Sequence, residues 1–220
     1  MVARKNSALV AETCKKFLDA AEEIYIQHGY YGTSIRAIAK LAERNLGTLH
    51  HYWGNKQALF KELFELRFTP LQKQHTQHLL KLKEKQKTEG FVNLRDVTRI
   101  LVEPFYSEAQ SFTTDKNLHR LYSRVFNDTA EETRDVMVVI FEEPLALFID
   151  LLRDACPNEL SPDEFRMRIN FAFSAVNHQE SFNFDTRVGK FIPPNIIYDE
   201  NKIDAIINFL VAGLSAPPSF

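Results

Sequence analysis

Residues Val10, Cys14, Phe17, Leu18, Ala21, Ile24 and Tyr25, closed by His28, recur at steps of three and four, the spacing of one helix face. Gly29 follows directly, as a residue of positive φ at a helix C-terminus would. Thr33 is then a natural N-cap for a short apolar run over Ile35–Ala42. Glu43, Arg44 and Asn45 interrupt the pattern, and a third short run covers Leu46–Tyr52. Two short helices separated by three residues have the spacing of a helix-turn-helix. A long run begins at Asn55 and carries Leu59, Phe60, Leu63, Phe64, Leu66, Leu71, His75, Leu79 and Leu82. Pro70 predicts a kink within it, because proline removes a backbone donor and crowds the preceding turn. The charged stretch Lys81–Lys87 reads as a solvated helix end, and Gly90 closes the segment.

Four further helices are expected over Leu94–Gln110, Lys116–Asn127, Glu131–Ala155 and Asp163–Phe182, with kinks at Pro104 and Pro144. Ser161-Pro162-Asp163-Glu164 is a strong helix start: a hydroxyl cap, proline in the first helical position and acids in the first turn. Phe184–Tyr198 reads as a loop, and a last helix carries Ile203, Ile206, Ile207, Leu210, Val211 and Leu214. The pattern predicts an all-α protein of about nine helices. An N-terminal three-helix helix-turn-helix domain over 1–56 is followed by a larger helical bundle over 57–220. The Asp163–Phe182 helix has two apolar faces. One holds Phe165, Ile169, Ala172, Phe173 and Val176; the other holds Phe171, Ala175, His178 and Phe182. The second face needs another layer. A second copy of the chain is the economical candidate, with Ile206 and Leu210 of the last helix beside it; a helix buried on both sides within one chain is the alternative.

Composition agrees with this layout. The chain has 220 residues, 45% hydrophobic and 25% charged, with only seven glycines. Those values fit a globular helical protein and not a disordered one. Cys14 and Cys156 lie far apart, so there is neither a disulfide framework nor a cysteine zinc site. The basic N-terminus lacks an apolar stretch behind it, and Val136–Phe141 is far too short to span a bilayer, so a cytoplasmic protein is expected. His75 and His78 stand three apart without a supporting carboxylate motif, so no metal is expected, and no cofactor. GxSxG, P-loop, HExxH and GxGxxG patterns are missing, so the chain is not expected to be an enzyme.

The stretch Gly29-Tyr30-Tyr31-Gly32-Thr33-Ser34-Ile35-Arg36-Ala37-Ile38-Ala39, followed by Asn45-Leu46-Gly47-Thr48-Leu49-His50-His51-Tyr52-Trp53-Gly54-Asn55-Lys56-Gln57-Ala58-Leu59-Phe60, resembles the TetR family of bacterial transcriptional regulators. The likeness covers roughly residues 9–60, and the rest matches the family in length and layout. Ala39 is small where two helices cross, and Leu49 and Trp53, four apart, turn with Ile38 into a small core. That leaves Thr48, His50, His51 and Tyr52 largely outward on a helix of major-groove length. The hydroxyls of Thr33, Ser34 and Thr48 can donate to phosphates. Taken with what the resemblance implies, the expected DNA-facing set is Thr33, Ser34, Arg36, Arg44, Asn45, Gly47, Thr48, His50, His51, Tyr52 and Lys56. The resemblance itself supplies the roles of Lys56 as a phosphate contact and of Arg36, His50 and Tyr52 at positions that meet DNA. The family's usual Gly and apolar residue at the turn are replaced by Glu43 and Arg44. That predicts strain or a different turn shape, with Arg44 swinging out as an added DNA contact.

Charge divides along the same line. Residues 1–56 hold eight cations and five anions, a net +3; the remainder holds nineteen cations and twenty-four anions, a net −5. Seventeen of the eighteen Phe lie beyond residue 57. The resemblance implies an apolar effector cavity there, and the candidate lining is Phe64, Phe68, His75, Phe105, Tyr106, His119, Tyr122, Phe126, Phe141, Phe173 and Asn177. The function so implied is a ligand-responsive, homodimeric repressor that leaves a palindromic double-stranded operator when a small, apolar or aromatic effector binds. A protein of this fold that binds a ligand or partner without specific DNA recognition is the alternative, motivated by the Glu43-Arg44 turn.

Overall fold

The computed structural model describes residues 2–106, 116–177 and 200–219. Among the described residues every regular element is a helix: α1 (Val2–Gly32), α2 (Ile35–Leu41), α3 (Leu46–Trp53), α4 (Lys56–Glu89), α5 (Leu94–Tyr106), α6 (Lys116–Phe126), α7 (Glu131–Ala155), α8 (Pro162–Asn177) and α9 (Glu200–Leu214). The all-α expectation stands, with nine helices in these residues. The predicted loop 184–198 and the expected ends of α5 and α8, at Gln110 and Phe182, lie outside the described residues.

The start signals act largely as read. Ser161 caps α8, its Oγ accepting from the Glu164 N–H at 3.2 Å. Gly90 ends α4 at φ 80. Gly29 takes φ 67 and ψ −175 and breaks the α1 ladder, after which three more residues continue to Gly32. One cap is corrected. Ser34, not Thr33, caps α2, accepting from the Ala37 N–H at 3.1 Å, while the buried Thr33 donates its hydroxyl to Gly29 O at 2.7 Å. α4 runs through Pro70 and α7 through Pro144, and α5 includes Pro104 in its last turn.

The chain forms two compact units, 1–71 with 120–141, and 72–119 with 142–220. Two of the three divisions lie near a proline, Pro70 in α4 and Pro144 in α7; the third falls within α6. The unit that contains the helix-turn-helix therefore extends beyond residues 1–56. Phe17, Ala21, Tyr25, Ile38, Leu49, Leu59, Phe60, Leu63 and Phe64 fill its core. Phe17 meets the Trp53 ring edge-on at 5.7 Å, and Arg67 of α4 grips Glu22 of α1 through two contacts, at 2.8 and 3.0 Å. In the other unit α5 packs along α9, where Arg99 bridges Glu103 and Asp204, both at 2.8 Å.

Candidate nucleic-acid interface and aromatic cluster

The α3 helix is short, and its apolar residues point one way. Leu49 and Trp53 are buried with Ile38 and Ala39 of α2, and the Trp53 indole donates to Glu62 at 2.6 Å. A helix so anchored must turn its remaining positions outward. Asn45, Gly47, His50 and His51 are exposed, and Thr48 and Tyr52 are half-buried. Asn45 caps α3, accepting from the Gly47 N–H at 2.7 Å. His50 lies 2.8 Å through Nδ1 from Gly54 O. A carbonyl only accepts, so this contact places the proton on Nδ1 and leaves Nε2 for another partner. The rings of Tyr52 and His51 lie 5.4 Å apart.

The other expected contact residues divide. Ser34 and Arg36 are exposed. Thr33 is 2% exposed and its hydroxyl is engaged inward, so its side chain is not presented at the surface. Lys56 reaches Tyr30 O at 2.6 Å and Thr33 O at 2.9 Å and stands 4.0 Å over the Tyr30 ring. Two of the three ammonium donors thus close the helix-turn-helix against α4. Burial lowers the Lys56 pKa from its ordinary value, against the pull of Glu132 and Asp128.

The turn between α2 and α3 has a regular shape. Glu43 N–H bonds Lys40 O at 3.2 Å and Arg44 N–H bonds Ala39 O at 3.0 Å, the paired closure of a Schellman motif. Glu43 occupies the left-handed position at φ 53, the one that glycine favours. Arg44 is half-buried, donating to Glu43 O at 3.0 Å and standing 3.8 Å from Glu12 of α1.

Five of the expected effector-lining residues come together in the unit that holds the helix-turn-helix. Phe64 and Phe68 on α4, Tyr122 and Phe126 on α6, and Phe141 on α7 form a continuous set of ring contacts at 4.3–6.4 Å. Phe60, Tyr25 and Tyr30 extend the set to the end of α1. Phe126 is 42% exposed and Phe141 half-buried, so the set opens at one end. Burial drives the Tyr122 phenol pKa far up and keeps it protonated. Phe173 belongs to the other unit, where it meets Phe148 at 5.8 Å. His75 is in that unit too, and burial, aided by the nearby His78, pushes its pKa down to about 4, so it is neutral at pH 7. The side chains of Phe105, Tyr106, His119 and Asn177 lie outside the described residues.

Among the described residues, the second face of α8 is largely exposed. Met167, Phe171 and Ala175 follow one another at intervals of four; Met167 and Phe171 are exposed and Ala175 half-buried. On α9, Phe209 is 71% exposed. Of the expected pairing residues, Ile206 is half-buried and Leu210 lies in its own chain's core, while His178 and Phe182 fall outside the described residues. Met167 and Phe209 escaped the sequence reading. A large apolar residue off the buried stripe of its helix was the signal available.

Residues 17–63 match the profile of bacterial regulatory proteins of the tetR family, and residues 99–213 match that of the tetracyclin repressor-like C-terminal domain. The chain is 26% identical over 128 residues to the HTH-type transcriptional regulator QacR of Staphylococcus aureus, covering 58% of this chain and 68% of that protein. Solved structures that share the fold include two further regulators. HlyIIR, a hemolysin II transcriptional regulator, superposes with a TM-score of 0.57 at 20% identity, covering 92% of this chain and 98% of its own. The regulator FadR from Bacillus subtilis, solved with stearoyl-CoA, gives 0.54 at 18% identity over 90% and 98%.

Proposed function

Because this chain belongs to the TetR family of transcriptional regulators, we propose that it is a homodimeric repressor whose α3 reads a palindromic operator and which is released by a small apolar or aromatic effector. The observation that carries the DNA half is the division of α3, with Leu49 and Trp53 inside and Asn45, Gly47, His50 and His51 outside. Exposed Ser34 and Arg36 flank that face, and the first 56 residues are net positive. Phosphate neutralisation would hold the protein on the duplex while α3 side chains read base edges.

The aromatic cluster supports the effector half. Tilted and edge-on rings offer apolar contact to a flat or apolar ligand, and the partial exposure of Phe126 and Phe141 is where one would reach them. Phe171 and Phe209 support pairing of two copies, which would set the spacing of two recognition helices. FadR, as solved, holds an acyl-CoA, which makes long-chain thioesters one class worth including in a ligand screen.

The test selects duplexes from a randomised pool with the purified protein and then titrates the winners by fluorescence anisotropy. A repressor enriches a two-fold symmetric site and binds it with a steep loss of affinity in salt. Failure to enrich any sequence favours the reading as a ligand-binding protein without specific DNA recognition. A compound that raises the unfolding temperature must then also weaken operator binding, since coupling between two sites is reciprocal. A ligand bound equally by free and operator-loaded protein would sink the release mechanism.

A further inference from the structure

The turn joining α6 to α7 reaches back to the start of the helix-turn-helix. Asp128 lies in that turn and uses both carboxylate oxygens. Oδ1 accepts from the Ala130 N–H at 3.0 Å, the local bond that shapes the turn. Oδ2 accepts from the Tyr30 N–H at 2.8 Å, across 98 residues of sequence. That second bond falls where α1 is broken. Gly29, with its positive φ, interrupts the helical ladder, and Asp128 supplies the acceptor that Tyr30 needs. Gly29 also leaves the room: a Cβ there would collide with the Arg124 guanidinium and stand 3.1 Å from Asp128 Oδ2. Burial opposes the Asp128 charge, but the Ala130 and Tyr30 N–H groups, the Tyr25 hydroxyl and Arg124 outweigh it and hold the pKa below the ordinary value.

From Tyr30 the bonds continue without a gap. Tyr30 O receives the Thr33 N–H at 3.2 Å and the Lys56 ammonium at 2.6 Å. Thr33 Oγ1 donates to Gly29 O, and Ser34 caps α2. Residues 29–34 thus form a short strap that sets the direction in which α2 departs. The α2 helix in turn carries α3 on the buried contacts of Ile38, Ala39 and Leu49. The anchor of that strap lies outside the residues 17–63 that match the family's N-terminal profile. It closes the helix, α6, that brings Tyr122 and Phe126 into the aromatic cluster.

We infer that Asp128 is a positioning residue for operator recognition: through Tyr30 it fixes the strap 29–34 and so the orientation of the helix-turn-helix. This rests on the DNA-binding reading above. Asp128 is an anion, and removing an anion from a DNA-binding unit should by electrostatics alone tighten binding. Positioning predicts the opposite.

The test is Asp128→Ser in the full-length protein. A serine oxygen two residues before Ala130 can still accept the local N–H bond but is too short to bridge to Tyr30 as well. Binding is measured by anisotropy against the duplex that the wild type selects, with amide exchange read residue by residue. Operator affinity should fall by about tenfold with the salt slope unchanged, because no phosphate contact is lost. The Tyr30 amide should exchange faster while that of Leu49 stays protected, a pattern that general destabilisation would not give. Affinity equal to or tighter than wild type, or unchanged protection at Tyr30, would overturn the inference. If the serine variant lacks a cooperative unfolding transition, Asp128→Asn is read by the same criteria, since the two N–H groups bond different carboxylate oxygens and the amide replaces one of those oxygens by a donor. A wild-type protein that selects no duplex fails the DNA-binding reading itself and takes the inference with it. A wild type that binds, beside a variant that binds equally well, fails the inference alone.

Discussion

Glu43 holds φ 53 at the position where a Schellman turn favours glycine. A side chain in that region costs on the order of 1 kcal/mol, and Glu43 is exposed, so its removal sacrifices no packing. Glu43→Gly should therefore stabilise the protein by about 0.5 kcal/mol after the added flexibility of the unfolded chain is subtracted, seen as a higher urea midpoint with an unchanged slope. His75 makes the opposite kind of prediction. Its folded pKa of about 4 lies below the ordinary 6.5, so between those values the unfolded chain binds a proton that the folded chain refuses. Stability contributed by neutral His75 is complete above pH 6.5 and drains away as pH falls toward 4. His75→Gln should flatten that part of the stability profile, by an amount on the order of 2 kcal/mol at the acid end, in denaturant titrations at several pH values. The spacing of apolar residues placed His75 on the inner side of α4, but nothing local indicated how thoroughly burial would suppress its charge.

At the scale of elements, the end of α9 is closed from a neighbouring helix. Arg168 of α8, 8% exposed, donates to the carbonyls of Gly213, Leu214, Ala216 and Pro217 and to Glu164 Oε1 at 2.7 Å. The Ser219 N–H donates to the same Glu164 oxygen at 2.9 Å. The Arg168 hydrogen bond is the main cause holding the Glu164 pKa down. One guanidinium thus satisfies carbonyls that a helix end leaves open, in a fork geometry that an ammonium lacks. Arg168→Ala should lower the unfolding midpoint by roughly 5–10 °C, and Arg168→Lys should recover little of it, as read by calorimetry. The sequence showed α8 and α9 as separate amphipathic helices. It did not show that an arginine on one would cap the other, because the two residues of the contact are more than forty positions apart.

At the scale of the whole molecule, α8 and α9 each expose a large apolar side chain. Phe171 and Phe209 are large apolar side chains, 64% and 71% exposed. If two copies meet there, Phe171→Glu with Phe209→Glu should convert a dimer to a monomer at micromolar concentration in sedimentation velocity. A dimer would engage two half-sites together, so the same pair should weaken operator binding by 100-fold or more while leaving the helical circular dichroism unchanged. Monomeric wild-type protein that still binds a symmetric site tightly would contradict this arrangement.

The sequence by itself determined the helices, most of their ends and the recognition motif. Apolar spacing, capping hydroxyls and helix-ending glycines act within four or five residues, which is why Glu131–Ala155 and the inward turn of Leu49 and Trp53 could be read directly. Tertiary structure alone decided which polar groups those helices spend on one another. It turned Thr33 inward and left the cap to Ser34, committed Lys56 to two carbonyls, drew five of the expected rings into one unit and Phe173 into the other, and set Asp128 on Tyr30. The reason is reach. A hydrogen bond between residues 98 positions apart leaves no periodicity in the chain, and it becomes visible only when folding brings its donor and acceptor within 3 Å.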